Sequence, residues 1–335
     1  MTDLERVVRK KIEKYREDEW AIYAHADHDG ICASVALNYL FGDIETKFSK
    51  SFKPKDIPEF EDKKLLKICD LQLSERQIGN LLDQGIEIVN YDHHEIRDMK
   101  HKNYLCLNPK KLFSKEYISS SGLIWKIFKP KEVAWILASG SAGDLAIEDN
   151  LELFEFTKQE YPELLNGISL ESIYSSKIFE LAQIILMAFD NPEKGFRILK
   201  ESIAKPLELY NTELYERYLK KRESIRNFFE KHKNRVVEHS KFVLIDTSGL
   251  RYSGSYSVYL NLKSKDEKVY IEYDSGRLFF RNYFGSEDVR RIAKLFGGGG
   301  AHGRSGGART GKTFQEVYRT IRDYYENRQT FLLDF

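Results

Sequence analysis

The chain has 335 residues, 41% hydrophobic and 31% charged, with 53 Lys and Arg against 52 Asp and Glu. That length suits two domains with real cores. The near-zero charge balance excludes a protein that coats nucleic acid by bulk charge, so any attraction to phosphate must be local.

Residues 1–18 read as a charged amphipathic helix, and 20–24 as a buried strand. A helix follows from Ile31 to Leu40, with Ile31, Val35 and Tyr39 on one face. Leu65 to Cys69 is a second strand, ending at Asp70. Ser74-Glu75-Arg76-Gln77 has capping-box spacing, which predicts a helix running to Gly85. A strand over 86–91 and a short one over Tyr104–Leu107 come next. Ser119 opens a helix carrying Leu123, Trp125 and Phe128, and another helix spans Glu132 to Ser139. Strands alternating with helices imply a parallel, doubly wound α/β sheet. Residues 150–236 read as helices, with Leu207–Val237 as a connector. Alternating runs at 242–245, 256–262, 268–273 and 278–282 predict a small mixed sheet, with helices at 286–296 and 313–326. The expected organisation is a doubly wound domain 1–190, a helical linker 191–240 and a smaller mixed α/β domain 241–335.

Three cysteines, Cys32, Cys69 and Cys106, lie in apolar stretches without C-x-x-C spacing and are expected as thiols. With no signal peptide and no membrane-length apolar run, a cytoplasmic protein is expected, with no membrane partner. The wealth of Lys, Glu, Ile and Tyr hints at a thermophile.

The chemistry gathers at strand ends. His25-Ala26-Asp27-His28-Asp29-Gly30 follows the first strand, Asp70 the second and Asp92-His93-His94 the third; Asp144 ends a small-residue stretch. Open α/β sheets bind ligands at this carboxyl edge. Carboxylates mixed with imidazoles suit Mn²⁺, Mg²⁺ or Zn²⁺, and a pair of such ions is suited to phosphoryl displacement. A single strand-end Asp is more often a helix cap, but the ordered set is hard to explain that way. His28 alternates away from His25 and reads as a neighbour rather than a ligand.

The order His-x-Asp-x-Asp-Gly, Asp, Asp-His-His, Asp resembles the DHH superfamily of phosphoesterases, and the likeness extends over nearly the whole chain. The resemblance implies two divalent ions, Mn²⁺ first, with Mg²⁺ or Co²⁺ as alternatives. His25 and Asp27 would hold one ion, Asp29, His93 and Asp144 the other, with Asp70 bridging. His94 would face the scissile phosphate and Asp92 would orient its neighbours. The compact first motif is similar to that of RecJ-type exonucleases, with His25 where an Asp is usual. The implied activity is removal of mononucleotides from single-stranded DNA or RNA. The alternatives are an oligoribonuclease or phosphoadenosine-phosphate phosphatase confined to very short substrates, and a Cdc45-like scaffold without activity.

Gly297–Gly300, then Ala301-His302-Gly303-Arg304, can form a backbone nest for an anion, with His302 and Arg304 adding charge; a linker or tight turn is the alternative. The segment resembles the GGGH-type substrate loop of the DHH-associated C-terminal domain, which makes Gly298, Gly299, Gly300, His302 and Arg304 substrate-binding candidates. Tyr283 and Phe284 are candidates for base stacking, against the plainer reading as buried strand aromatics. At the end of the chain, Gln329, Leu332 and Phe335 have the spacing of a sliding-clamp-binding peptide, although its final aromatic is missing. A tail packed on its own domain is the alternative.

Overall fold

The computed structural model describes residues 3–94, 99–250 and 267–333. It divides into two compact units, Met1–Tyr218 and Leu219–Phe335, with the division inside the helix Glu213–Lys231. The expected strand at 256–262 lies outside the described residues, as do Asp334, Phe335 and the side chains of Gln329 and Leu332 that the clamp-peptide reading rests on. Among the described residues, no helix is long and apolar enough to cross a membrane.

The first unit is a doubly wound α/β layer structure. Its five strands are β1 Trp20–His25, β2 Glu45–Ser49, β3 Leu65–Cys69, β4 Glu87–Tyr91 and β5 Tyr104–Leu107. They form one parallel sheet in the order β2-β1-β3-β4-β5. β1, β3 and β4 are buried on both faces, which is why they read as mainly apolar runs, broken only by buried Lys67 in β3 and by buried Glu87 and Asn90 in β4. β2 was not legible in the sequence. It is a half-exposed edge strand, Glu-Thr-Lys-Phe-Ser, with one apolar residue and no run to betray it.

Helix α1 is Asp3–Ile12, α2 is His28–Phe41 and α3 is Glu75–Asp83. Ile78 and Leu81 of α3 cover one sheet face, packing with Tyr23, Leu66, Ile68 and Ile88. Across the other face lie α2 and, after the short α4 Pro109–Phe113, α5 Ser120–Phe128: Phe41 meets Trp20 edge-on and Phe128 lies beside Tyr91. Helix α6, Ala134–Gly143, is buried along almost its whole length, so it shows no amphipathic stripe. α2 begins three residues earlier than the periodicity suggested, because Asp27 caps it. The three cysteines are thiols, with Cys32 and Cys69 buried.

The order reverses between β1 and β3: the chain steps from β1 outward to β2, then returns to the opposite side of β1. Ligands bind outside such switch points. The register pairs Ala24 with Cys69 and Cys69 with Tyr91. The next residues on the three strands, His25, Asp70 and Asp92, therefore end side by side at this crevice.

Among the described residues, the second unit holds a mixed sheet of six strands: β6 Val236–Glu238, β7 Phe242–Asp246, β8 Val269–Asp274, β9 Arg277–Arg281, β10 Gly299–His302 and β11 Ser305–Arg309. Their order is β10-β11-β9-β8-β7-β6, and only β7 and β8 run parallel. Alternate residues Phe242, Leu244, Val269, Ile271, Leu278 and Phe280 pack with Val289, Ile292, Val317 and Ile321 of the helices Val289–Lys294 and Phe314–Leu333. The mixed α/β class expected for this region is the one found.

Candidate metal centre

The close start of α2 builds half the site. Asp27 is its N-cap, with Oδ1 accepting from the Gly30 amide at 3.0 Å. A Cβ on Gly30 would run into the His25 carbonyl, so glycine lets the first turn of α2 press against the end of β1. Asp27 Oδ2 is thereby held 3.1 Å from His25 Nδ1. Asp29, in the first turn of the helix, is fully buried. Its two oxygens accept the Ser120 and Ser121 amides at 2.8 and 2.9 Å, at the N-terminus of α5, where the helix dipole favours an anion.

Asp70 links the halves. Its Oδ2 lies 3.2 Å from His25 Nδ1, while Oδ1 lies 3.1 Å from His93 Nε2 and 3.7 Å from His94 Nδ1. The residue sits at φ +56°, a left-handed conformation that Asp tolerates better than most residues and that carries strain at functional sites. Asp144 caps the C-terminus of α6 and brings Oδ2 to 3.5 Å from His93 Nε2. Asp92 accepts His94 Nδ1–H at 2.6 Å and the His94 amide at 3.2 Å. Asn108 clamps the turn, donating to the carbonyls of Asp92 and His94 at 2.8 and 3.2 Å.

Donor atoms fall into three trios, each with its atoms within 4.8 Å of one another: His25, Asp27 and Asp70; Asp29, His93 and Asp144; Asp70, His93 and His94. Oxygen and nitrogen donors so spaced can converge on Mn²⁺- or Mg²⁺-like ions. The electrostatics agree. Burial opposes a charged imidazole at His25, yet Asp27 and Asp70 outweigh it and hold the group well above its ordinary value. Burial likewise opposes charge on His93, yet Asp144 and Asp70 push it up to about 10. Burial first, then Asp70 and Asp144, raise the Asp29 carboxyl to about 7. Burial would raise Asp27 and Asp92 also, but His25 and His94 respectively pull them down. The pocket is over-supplied with negative charge and draws protons where a cation would serve.

His28 stands beside this set, its ring packed where a Cβ on Gly143 would have to go. Sequence reasoning missed several neighbours: the Ser120 and Ser121 amides, Asn108, Phe189 set edge-on to His25 at 6.4 Å, and Phe52 stacked on His94. The Ser119-Ser120-Ser121-Gly122 string was readable only as a helix start, and its amides meet a carboxylate 91 residues away.

The glycine-rich segment corrects the loop expectation. Gly299–His302 is β10, an edge strand paired with β11. A Cβ on Gly298 or Gly300 would strike the Gly307 or Ser305 carbonyl oxygen, so those glycines allow close strand pairing, while Gly299 faces open space. His302 is fully buried, and its Nδ1 accepts the Arg304 amide at 3.3 Å. Arg304 Nη1 donates to the carbonyls of Asn282, Tyr283 and Gly285 at 3.0, 2.9 and 3.4 Å, so part of the guanidinium secures a neighbouring turn. Tyr283 is buried against Tyr270.

These features define a class: a doubly wound α/β protein with a bridged acidic–histidine cluster at its switch point. Residues 19–147 match the DHH family, N-terminal domain. That matched domain is followed along the chain by a separate C-terminal unit. Among solved structures, the DHH domain of a member of the s1p family of ribosomal proteins is similar with a TM-score of 0.69 at 16% identity, over 97% of this chain and 92% of that one. RecJ from Thermus thermophilus in complex with Mn²⁺ gives 0.64 at 15% identity, over 97% of this chain but only 54% of its own, so this chain spans about half that protein. An exonuclease RecJ bound to manganese gives 0.59 at 16% identity, over 97% and 94%. At such identities the likeness is one of fold. No curated protein matches the sequence.

Proposed function

We propose that the protein is a Mn²⁺-dependent phosphodiesterase that releases mononucleotides from an end of single-stranded DNA or RNA. One observation carries the reading: Asp70 presents its two oxygens to two separate donor groups, as a carboxylate shared between two cations must. His25 and Asp27 complete one group, and Asp29, His93 and Asp144 the other. When bound, such a pair supplies Lewis acidity to the phosphoryl group and lowers the pKa of an attacking water.

The chain's own residues then divide the work. The Ser120 and Ser121 amides fix Asp29 in one orientation, so its remaining lone pairs point into the cluster. Asp92 holds His94 through Nδ1, which leaves Nε2 to contact the scissile phosphate; Asp92 is a positioning residue. Asn108 keeps both on one rigid turn. In the second unit, the β10–β11 hairpin, with Gly298, Gly299, Gly300 and His302, is proposed to contact the nucleic acid, the Gly298 amide itself being held by the Ala293 carbonyl at 3.0 Å. Arg304 ties that hairpin to the 282–285 turn through Nη1.

A time course on end-labelled DNA and RNA of several lengths, with Mn²⁺, Mg²⁺ or a chelator, tests this. Stepwise mononucleotide release that the chelator abolishes is the expected result. Activity restricted to the shortest oligomers would make the protein an oligoribonuclease instead. Equal, negligible hydrolysis by the parent protein and Asp29→Ala would favour a scaffold.

A further inference from the structure

We propose that the exposed segment 50–55, Lys-Ser-Phe-Lys-Pro-Lys, is a nucleobase-stacking subsite with Phe52 as its platform, an inference that rests on the nucleic-acid reading of the metal centre. Phe52 is 40% exposed although it is a large apolar side chain. Its ring lies nearly parallel to that of His94, with centroids 5.2 Å apart and planes at 17°. A phenylalanine present only to shield His94 would gain by burying its outer side, whereas this one keeps much of its surface in water beside the residue assigned to the scissile phosphate.

The mount is rigid. The Phe52 carbonyl accepts the Gln72 amide at 2.8 Å. Ser51 Oγ donates to the Lys53 carbonyl at 2.9 Å, and Gln77 Nε2 donates to the Pro54 and Lys55 carbonyls at 2.9 and 3.0 Å. Pro54 is buried, while Lys50, Lys53 and Lys55 are exposed along the same segment. Lys53 Nζ lies 5.3 Å from the Phe52 centroid, and Lys50 Nζ donates to the Asp190 carbonyl at 3.0 Å; exposed Asp56 is the neighbouring acid. An aromatic ring with an ammonium group beside it suits a base with a flanking phosphate. It would accept any base, because each has a π-face.

The test compares oligothymidylate with versions carrying an abasic residue at each of the first few positions from either end. Equilibrium binding is read by fluorescence anisotropy with Ca²⁺ in place of Mn²⁺, and hydrolysis in parallel with Mn²⁺. The parent protein should bind the intact strand roughly 5- to 100-fold tighter than the strand abasic at one particular position. Phe52→Ala should collapse that preference and Phe52→Trp should keep it. A preference that survives Phe52→Ala, or a parent protein with no preference, overturns the subsite. Base-dependent binding that needs Phe52 without any hydrolysis would sink the phosphodiesterase reading and leave the subsite standing; hydrolysis indifferent to Phe52 does the reverse.

Discussion

The two edges of the first unit's sheet treat buried charge in opposite ways. At the amino edge, β4 opens with Glu87, which is almost fully buried yet surrounded by Lys11, Lys14 and Tyr15. Burial would raise its carboxyl, but Lys11 above all holds it below the ordinary value. At the carboxyl edge, β4 runs into Asp92-His93-His94, and the partners found for Asp27, Asp29, Asp70 and Asp92 are imidazoles and backbone amides. The first edge resolves its charge within the chain and staples helix α1 to the sheet. The second leaves an anionic excess that adds to burial in driving Asp29 upward and overcomes burial in driving His93 upward. Buried acids supplied with protein cations mark architecture; buried acids left to compete for protons mark a site built for an outside cation.

The sharpest way to break this contrast is at Asp70. Both Asp70→Ala and Asp70→Asn should lower Mn²⁺-dependent hydrolysis by at least about 10³-fold while unfolding stays cooperative. Asn tolerates the positive φ, so loss in both variants isolates the charge from the backbone. Turnover retained by either would contradict the bridging role.

A second measurement reads the excess charge directly. Asp29 stands at about 7 against 3.8, and His93 at about 10 against 6.5. Both are raised, so the fold favours the protonated form of each. That stabilisation is complete below the unfolded values and is lost as pH climbs from 3.8 to about 7 for Asp29 and from 6.5 to about 10 for His93. A bound cation would replace these protons. The rise in Tm on adding Mn²⁺ should therefore be larger at about pH 8.5 than at about pH 6, by roughly 4 °C or more. Scanning fluorimetry with Mn²⁺ and with chelator checks it, and a shift that shrinks with pH would refute the charge argument.

Glu87→Gln probes the other edge. It should cost about 2 kcal/mol of stability, because it removes a charged acceptor from three donors. Denaturant titration gives the cost, while the rate of hydrolysis should change by less than about twofold. A collapse in rate with intact stability would erase the distinction between the edges.

The smallest effect is expected at Lys67, three residues before Asp70 on β3. Its ammonium is fully buried, 4.1 and 4.3 Å from the ring centroids of Trp20 and Phe41. Burial lowers its pKa to about 7. A depressed base destabilises the fold most below about 7, and the penalty fades as pH rises toward 10.5. Lys67→Met should thus stabilise by about 1 kcal/mol at neutral pH, since the lost cation–π contact offsets part of the relief. The gain should disappear above about pH 10, and a loss of stability at neutral pH would show that the aromatic contact dominates.

What the sequence determined by itself is what local periodicity encodes. Mainly apolar runs announced β1, β3 and β4, Ser74 and Gln77 announced the start of α3, and the acidic and histidine residues immediately after the runs placed the donors at one sheet edge. Elements whose stability comes from distant partners were invisible. β2 has a polar pattern because it lies at the edge, and the glycine run became a strand because β11 offers it hydrogen bonds. The Asp29 carboxylate meets amides 91 residues away, and Phe52 reaches His94 only through the return of β3 and β4 beside β1. Side-chain spacing along a strand is a property of the backbone next door, whereas which groups share a pocket depends on strand order. That order is set by the packing of whole layers.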